Sequence, residues 1–98
     1  MHGKLIVFEG VEGCGKTTQI QLTSEWLQSI GVPVIVTREP GGTNLGIHLR
    51  RLLLEANNNA IDPRTELLLY AADRAQHVEQ ELKPNLTAGK YVLCDRFI

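Results

Sequence analysis

The chain has 98 residues, of which 43% are hydrophobic, a size and composition that suit one small globular domain with a single core. The formal net charge is −1 and both signs are spread along the chain, so neither DNA nor RNA is expected as a partner. The apolar run at residues 5–8 is too short for a signal h-region or a membrane span, and Cys14 and Cys94 lie far apart. We therefore expect a soluble protein of the reducing cytoplasm, with no membrane partner and no disulfide.

The first half of the chain alternates between predicted strands and helices. Residues 4–9 form a short apolar run bounded by glycines, which is typical of a buried strand. Apolar residues then repeat at helical spacing from Lys16 to about Ile30. Residues 33–37 predict a second buried strand, with its proline at the first position.

Two further helices and a third strand are predicted in the second half. Leucines at helical spacing indicate a helix over residues 44–55. A third helix is predicted from Pro63, capped by the preceding aspartate, to about Leu82, because Pro84 is expected to end it. Residues 90–95 predict a third buried strand.

This order of elements predicts an α/β fold. Right-handed crossovers would give a doubly wound parallel sheet, with helices on both faces and ligands at the carboxyl ends of the strands. The sequence ends directly after the third strand, so we expect a sheet truncated there, with residues 1–98 the N-terminal part of a single domain whose C-terminal part is absent. Such a sheet has open edges, which the rest of the domain or another chain would cover.

The third helix has two predicted faces. Its core stripe consists of the apolar residues at helical spacing: Leu67, Ala71, Ala75, Val78 and Leu82. Tyr70, Arg74 and His77 lie beside that stripe, on a flank that would face a cleft. Leu69 and Ala72 lie away from the stripe and suggest a second buried face.

Residues 10–17 match the phosphate-binding pattern G-x-x-x-x-G-K-[ST], between a predicted strand and a predicted helix. In such a P-loop, backbone N–H groups and the helix dipole surround phosphate oxygens. Lys16 reaches the β- and γ-phosphates, and the Thr17 hydroxyl ligates Mg²⁺. The fold is therefore expected to be P-loop NTPase-like. The predicted phosphate-binding residues are Gly10, Val11, Glu12, Gly13, Cys14, Gly15, Lys16, Thr17 and Thr18.

A carboxylate near the magnesium is the second requirement of a P-loop site. Asp95 closes the third predicted strand and is assigned this role together with Thr17, although an aspartate that merely caps the strand end stays an alternative. Arg96 follows it, and a planar guanidinium pairs well with phosphate oxygens. The predicted catalytic residues are Lys16, Asp95 and Arg96.

Four separated segments together resemble bacterial thymidylate kinases: residues 8–19, 37–43, 67–74 and 95–97. The P-loop is shared by many enzymes, whereas the Arg-Glu-Pro-Gly-Gly-Thr loop at residues 38–43 is far more specific. The resemblance spans nearly the whole chain, but proteins of that family are about twice as long.

The resemblance implies phosphoryl transfer from ATP to dTMP, which gives dTDP and ADP, with Mg²⁺ as cofactor. The dTMP-binding residues that it implies are Glu12, Glu39, Pro40, Arg50, Tyr70, Arg74 and Arg96. Of these, Glu12 would approach the sugar, Arg50 the phosphate, Tyr70 the thymidine and Arg74 the edge of the base. It also implies a homodimer packed through helices, with cover by the absent part of the domain as the alternative.

Several points stay open at this stage. Residues 11–14 include no basic side chain, so we expect a lid arginine beyond Ile98 and an inactive 98-residue chain. The competing interpretations are another P-loop nucleotide or deoxynucleoside kinase, or a non-catalytic nucleotide-binding fragment.

The three histidines have no ligand-like partners at short spacing, so a zinc site is not expected. The isomer of the Glu39-Pro40 bond is left undecided.

Overall fold

The computed structural model describes residues 2–10, 15–55 and 61–97. The elements confirm the predicted order of strands and helices. In chain order they are β1 (Leu5–Gly10), α1 (Lys16–Ser29), β2 (Val34–Glu39), α2 (Asn44–Glu55), α3 (Pro63–His77), a π-helical turn (Val78–Leu82), α4 (Lys83–Thr87) and β3 (Tyr91–Phe97).

The three strands form one parallel sheet with β3 in the centre, in the order β1-β3-β2. Glu9 of β1, Arg96 of β3 and Glu39 of β2 are directly opposite one another across the sheet. Both β2 and β3 continue two residues beyond their predicted apolar runs. The extra residues are mainly polar. Apolar patterning did not predict them, because the backbone pairing of the strands extends beyond the apolar core. All three strands thus reach the same edge with charged residues.

One face of the sheet carries the apolar core beneath α1. Ile20 and Leu27 of the helix are buried against Leu93 of the central strand. Partly buried apolar side chains surround them: Ile6, Phe8, Val32, Val34 and Tyr91. The helix ends one residue before the prediction, and Gly31 follows it with a φ of 81°, the left-handed conformation that favours glycine. This packing holds α1 against the sheet, with its first turn next to the carboxyl end of β1.

The other face of the sheet is covered by α3 and the segment that follows it, so the expectation of helices on both faces is confirmed. The predicted core stripe is wrong in its first half, since Leu67 is 68% exposed and Ala71 and Ala75 are exposed as well. The buried residues of α3 are instead Asp73 and His77. They are buried because polar groups of β2 and the loop after it pair with them.

The helical segment that begins with α3 continues past the predicted end at Leu82, through the π-helical turn and α4 to Thr87. Asp62 caps it as expected, accepting a hydrogen bond of 2.9 Å from the backbone N–H of Arg64. The prediction that Pro84 ends the helix is wrong, because Pro84 lies in the first turn of α4. A proline is tolerated in a first turn, because the N–H that it lacks would have no partner within the helix there. The π-helical turn before α4, with its wider i→i+5 hydrogen-bonded rings, leads into this position.

Candidate functional site

The side chain of Lys16 is buried where β1 and β3 end. Gly15, with a φ of 85°, turns the chain into α1, so that Lys16 is the first residue of the helix. The Lys16 ammonium donates to the carbonyl oxygens of Gly10 at 2.8 Å and Arg96 at 3.3 Å, and its nitrogen lies 2.7 Å from Oδ1 of Asp95. Two of the three predicted catalytic residues, Lys16 and Asp95, are therefore in direct contact.

The predicted phosphate-binding segment is described only in part. Val11, Glu12, Gly13 and Cys14 lie outside the described residues. Gly10, Gly15, Lys16, Thr17 and Thr18 are described, and they run from the end of β1 into the first turn of α1. The helix N-terminus, with its positive dipole, therefore faces the same sheet edge as the buried lysine.

Thr17 and Asp95, the two predicted metal ligands, line one cleft of about 280 Å³ on the α1 side of the sheet. Both offer oxygen atoms, the ligands that Mg²⁺ prefers. Although Asp95 Oδ1 is close to the Lys16 ammonium, it is buried without a hydrogen bond of good geometry from the part of the chain described. The residues present therefore fit a magnesium ion bound between a hydroxyl and a carboxylate.

A second and larger cleft, of about 580 Å³, opens on the α3 side of the sheet. Of the predicted dTMP-binding residues, Glu39, Pro40, Tyr70, Arg74 and Arg96 line it. The exposed residues Leu67, Ala71 and Ala75 form an apolar part of its wall, and the polar Asp73 also lines it. The Glu39-Pro40 peptide bond at the cleft is cis.

Arg50 is not brought to that cleft. It lines a separate cavity of about 460 Å³ between α2 and the loop after β2. Arg38 and Arg51 lie in the same cavity, which makes it a concentration of positive charge. The structure thus groups five of the seven residues implied for dTMP, separates Arg50 from them, and does not describe Glu12.

Arg96 spans the end of the sheet between two carboxylates. Its Nη1 lies 3.0 Å from Oε1 of Glu9, and its Nε lies 3.7 Å from Oε1 of Glu39. The Nε–H is buried and makes no hydrogen bond to the described part of the chain. A buried donor without a partner is costly unless a ligand satisfies it, so this N–H marks a place for an oxygen acceptor.

Glu39 is the centre of a buried polar network. Its Oε1 accepts a hydrogen bond of 2.7 Å from Nε of Arg74, and its Oε2 lies 2.8 Å from Nδ1 of His77. Burial alone raises the pKa of Glu39, but the hydrogen bonds from His77 and Arg74 and the charges of Arg74 and Arg96 outweigh it and hold the pKa below 4.5. The carboxylate is therefore ionised at neutral pH and anchors both arginines.

Asp73 is a buried residue that the sequence analysis passed over. Its Oδ1 accepts a hydrogen bond of 3.1 Å from the backbone N–H of Gly41, in the loop after β2. Burial raises its pKa above 3.8, the Gly41 hydrogen bond opposes the rise, and the charge of Glu39 adds to it. The signal available in the sequence was the spacing of Asp73 and His77, four residues apart on one helix face.

Three buried ligand-type residues come together beside this network. The ligand atoms of Glu39, His77 and Cys94 lie within 4.8 Å of one another. However, both nitrogens of His77 already have partners, Arg74 and Arg96 put positive charge nearby, and burial raises the pKa of Cys94 to about 11. A cation would displace these interactions and meet a neutral thiol, so Glu39, His77 and Cys94 do not fit a metal site as they are arranged here.

A parallel α/β sheet whose first strand leads through a glycine-rich loop to a buried lysine defines a P-loop nucleotide-binding protein. The lysine, the adjoining carboxylate and the two clefts lie together at the carboxyl ends of the strands. The family model for thymidylate kinase matches residues 8–98. The chain belongs to the thymidylate kinase family.

Individual relatives agree with this assignment. The chain is 76% identical over 98 residues to the thymidylate kinase of Nostoc punctiforme and 61% identical over 95 residues to that of Geotalea uraniireducens. These alignments cover 99% and 97% of the chain but 46% and 45% of the two relatives. The chain therefore spans about half the length of the curated relatives it matches.

A solved structure shows the same fold. The crystal structure of thymidylate kinase from Ehrlichia chaffeensis superposes with a TM-score of 0.85 at 43% sequence identity, over 99% of this chain and 55% of that one. Among the residues that the structure describes, no helix is long and apolar enough to cross a membrane.

Proposed function

We propose that this chain is the N-terminal part of a single P-loop nucleoside-monophosphate kinase domain that transfers a phosphoryl group from ATP to dTMP, giving dTDP and ADP. One observation carries the proposal. The neighbouring residues Asp95 and Arg96 of β3 face different clefts, one beside the P-loop lysine and one beside Tyr70 and Arg74. Donor and acceptor phosphates bound in these clefts would meet at the end of the central strand.

The donor side uses the P-loop and the start of α1. We assign the phosphates of ATP to the backbone from Gly10 to Thr18, with Lys16 turned toward the β- and γ-phosphates. Mg²⁺ would be held by Thr17 and Asp95 and would neutralise charge on the transferred group. Lys16 now contacts Asp95 and two strand carbonyls, so nucleotide binding exchanges at least one of these contacts for a phosphate oxygen.

The acceptor side uses the 580 Å³ cleft. Arg96 lines the cleft, and its buried Nε–H, which makes no hydrogen bond to the described chain, suits a phosphate oxygen of dTMP. Tyr70 and Arg74 stand one helical turn apart and suit the face and the edge of one base. By likeness to the family, Glu12 would contact the sugar and Arg50 the acceptor phosphate.

This chain would contribute to catalysis by neutralising charge on the transferred phosphoryl group and by positioning the two substrates. Phosphoryl transfer spreads negative charge over the transferred group, and preorganised cations stabilise it. Lys16 and Arg96 are held in place by carboxylates and carbonyls before substrate arrives. A further arginine, from a lid beyond Ile98, would complete the charge balance, so we expect the 98-residue chain alone to show no turnover.

Substrate comparison in the full-length protein tests the proposal. Turnover with ATP and Mg²⁺ should be highest with dTMP and much lower with dCMP and dGMP, because Arg74 suits a pyrimidine that offers an acceptor at its edge. dUMP offers the same acceptor and lacks only the methyl group of thymine, so its turnover should fall less. Higher turnover with another monophosphate or with a deoxynucleoside would instead indicate a different P-loop kinase. ATP binding by calorimetry without any phosphoryl transfer would indicate a binding module.

A homodimer in the cytoplasm is the proposed state of the protein. Exposed apolar side chains on α2 and α3 support a helical interface, since Leu52 is 51% and Leu68 67% exposed. Sedimentation of the full-length protein should give twice the monomer mass, and Leu68→Glu should reduce it to the monomer mass. A monomeric wild-type protein would refute this part of the proposal.

A further inference from the structure

His77 is a fully buried residue with both ring nitrogens engaged. It lies at the end of α3, and its side chain has 0% relative exposure. Its Nδ1 is 2.8 Å from Oε2 of Glu39, and its Nε2 is 2.8 Å from Oγ1 of Thr37. Thr37 and Glu39 lie two residues apart on β2, on the same face of the sheet. The imidazole therefore bridges two neighbouring side chains of one strand.

The hydrogen-bond partners determine which nitrogen carries the proton. An ionised carboxylate only accepts hydrogen bonds, so Nδ1 of His77 donates to Glu39. In the neutral ring Nε2 then accepts from the hydroxyl of Thr37. Held from both sides, His77 fixes the plane and the rotamer of the Glu39 carboxylate.

The other oxygen of Glu39 faces the two arginines of the larger cleft. Oε1 accepts from Nε of Arg74 at 2.7 Å and lies 3.7 Å from Nε of Arg96. The Arg74 guanidinium has five N–H donors, and the hydrogen bond to Glu39 occupies only the Nε–H. The N–H donors on Nη1 and Nη2 remain for other acceptors. Arg74 is half exposed and lines the cleft, so its orientation depends on where Glu39 places Oε1.

We propose that His77 is a positioning residue for the acceptor cleft. It acts through Glu39 and sets the orientation of Arg74, and to a lesser degree of Arg96, without contact to the substrate. The inference rests on the proposed function, because it assigns the cleft to dTMP. If His77 only filled space, any side chain of similar volume would serve. The role proposed here requires a donor at the place of Nδ1.

Two substitutions in the full-length protein separate these roles. His77→Asn places an amide N–H near the position of Nδ1 and keeps the donor to Glu39. His77→Gln extends toward Thr37 and removes that donor. Gln76→Ala is the matched control, because Gln76 is the preceding residue of α3 and its amide bonds Gln80 at 2.9 Å, outside the network. The wild type and all three variants are assayed with dTMP and ATP.

We expect His77→Gln to raise the KM for dTMP about tenfold, while kcat and the KM for ATP change less than about twofold. His77→Asn should stay within about threefold of the wild type, and Gln76→Ala should match it. In an Arg74→Ala background, His77→Gln should add no further rise, since the arginine that it positions is gone. Equal effects of the two His77 variants, equal shifts for both substrates, or full additivity with Arg74→Ala would overturn the inference.

Folding and function can be told apart. If His77→Gln does not fold, Thr37→Val is used instead, since it removes only the hydroxyl that holds Nε2. It should raise the KM for dTMP about threefold, and an unchanged KM for dTMP would overturn the inference. A wild-type protein that does not phosphorylate dTMP would refute the proposed function itself, before any variant is compared.

Discussion

Replacement of Asp73 by alanine is expected to destabilise the fold, because it removes the acceptor of one buried hydrogen bond. Asp73 is 1% exposed, and its Oδ1 is the acceptor for the buried backbone N–H of Gly41 at 3.1 Å. Alanine would leave that N–H without a partner, which costs about 1–3 kcal/mol. Asparagine keeps an oxygen acceptor of the same reach, so Asp73→Asn should cost less than about 1 kcal/mol.

Denaturant unfolding of the full-length protein measures both values, provided that the slope m is equal for the wild type and the variants. Thr65→Ala near the start of the same helix is the control, because its side chain is exposed and Thr65 is not assigned to the helical interface. If Asp73→Asn is as costly as Asp73→Ala, the charge and not the acceptor holds the loop, and the reasoning fails.

The charge of Asp73 adds a test with a definite sign. Burial raises its pKa above 3.8, so the folded state binds the proton more tightly than the unfolded state. The stability of the wild type relative to Asp73→Asn should therefore increase as the pH falls through the raised pKa toward 3.8. Glu39 has its pKa held below 4.5, so the stability of the wild type relative to Glu39→Gln should decrease as the pH falls below 4.5. Slopes of the same sign would contradict the two assignments.

Lys16→Ala should weaken ATP binding between about ten- and a hundredfold by calorimetry, because the charged donor to the phosphates is lost. dTMP binding is the internal control, and unchanged ATP affinity would refute the P-loop assignment. Gly42→Ala should be more destabilising than Gly31→Ala, since a Cβ at Gly42 would lie 2.5 Å from a backbone oxygen of β2, whereas at Gly31 nothing lies within 4 Å. The Gly31 change costs about 1 kcal/mol for its positive φ, and a smaller loss for Gly42→Ala in denaturant unfolding would contradict the packing described.

Local patterns predicted the elements well. The apolar run of β1, the stripe of α1 and the leucines of α2 each placed their element to within one residue. The prediction that β1 is a buried strand is wrong, because its residues are half-buried or exposed and the buried strand is the central β3. The P-loop pattern also placed Lys16 correctly between a strand and a helix. Such features depend on neighbours a few residues away, and a single sequence contains those neighbours.

The face of α3 was predicted wrongly because its partners are distant in sequence. A charged residue and a histidine on a helix are ordinarily solvated, so the apolar Leu67 was assigned to the core in their place. What buries Asp73 and His77 is Glu39 and the neighbouring residues of β2 and its loop, more than 30 positions earlier. Periodicity within the helix carries no information on that pairing.

The π-helical turn after α3 affects how two buried side chains of different character, a histidine and a leucine, are placed. His77 and Leu82 are both buried although they are five residues apart, a separation that would turn a regular α-helix by about 140°. The i→i+5 hydrogen bonds of a π-helical turn give more residues per turn, so the two side chains lie closer to one side of the helix than they would in a regular α-helix. His77, which belongs to the polar network at the cleft, and Leu82, which directly precedes α4, are thereby both buried along one continuous helical segment.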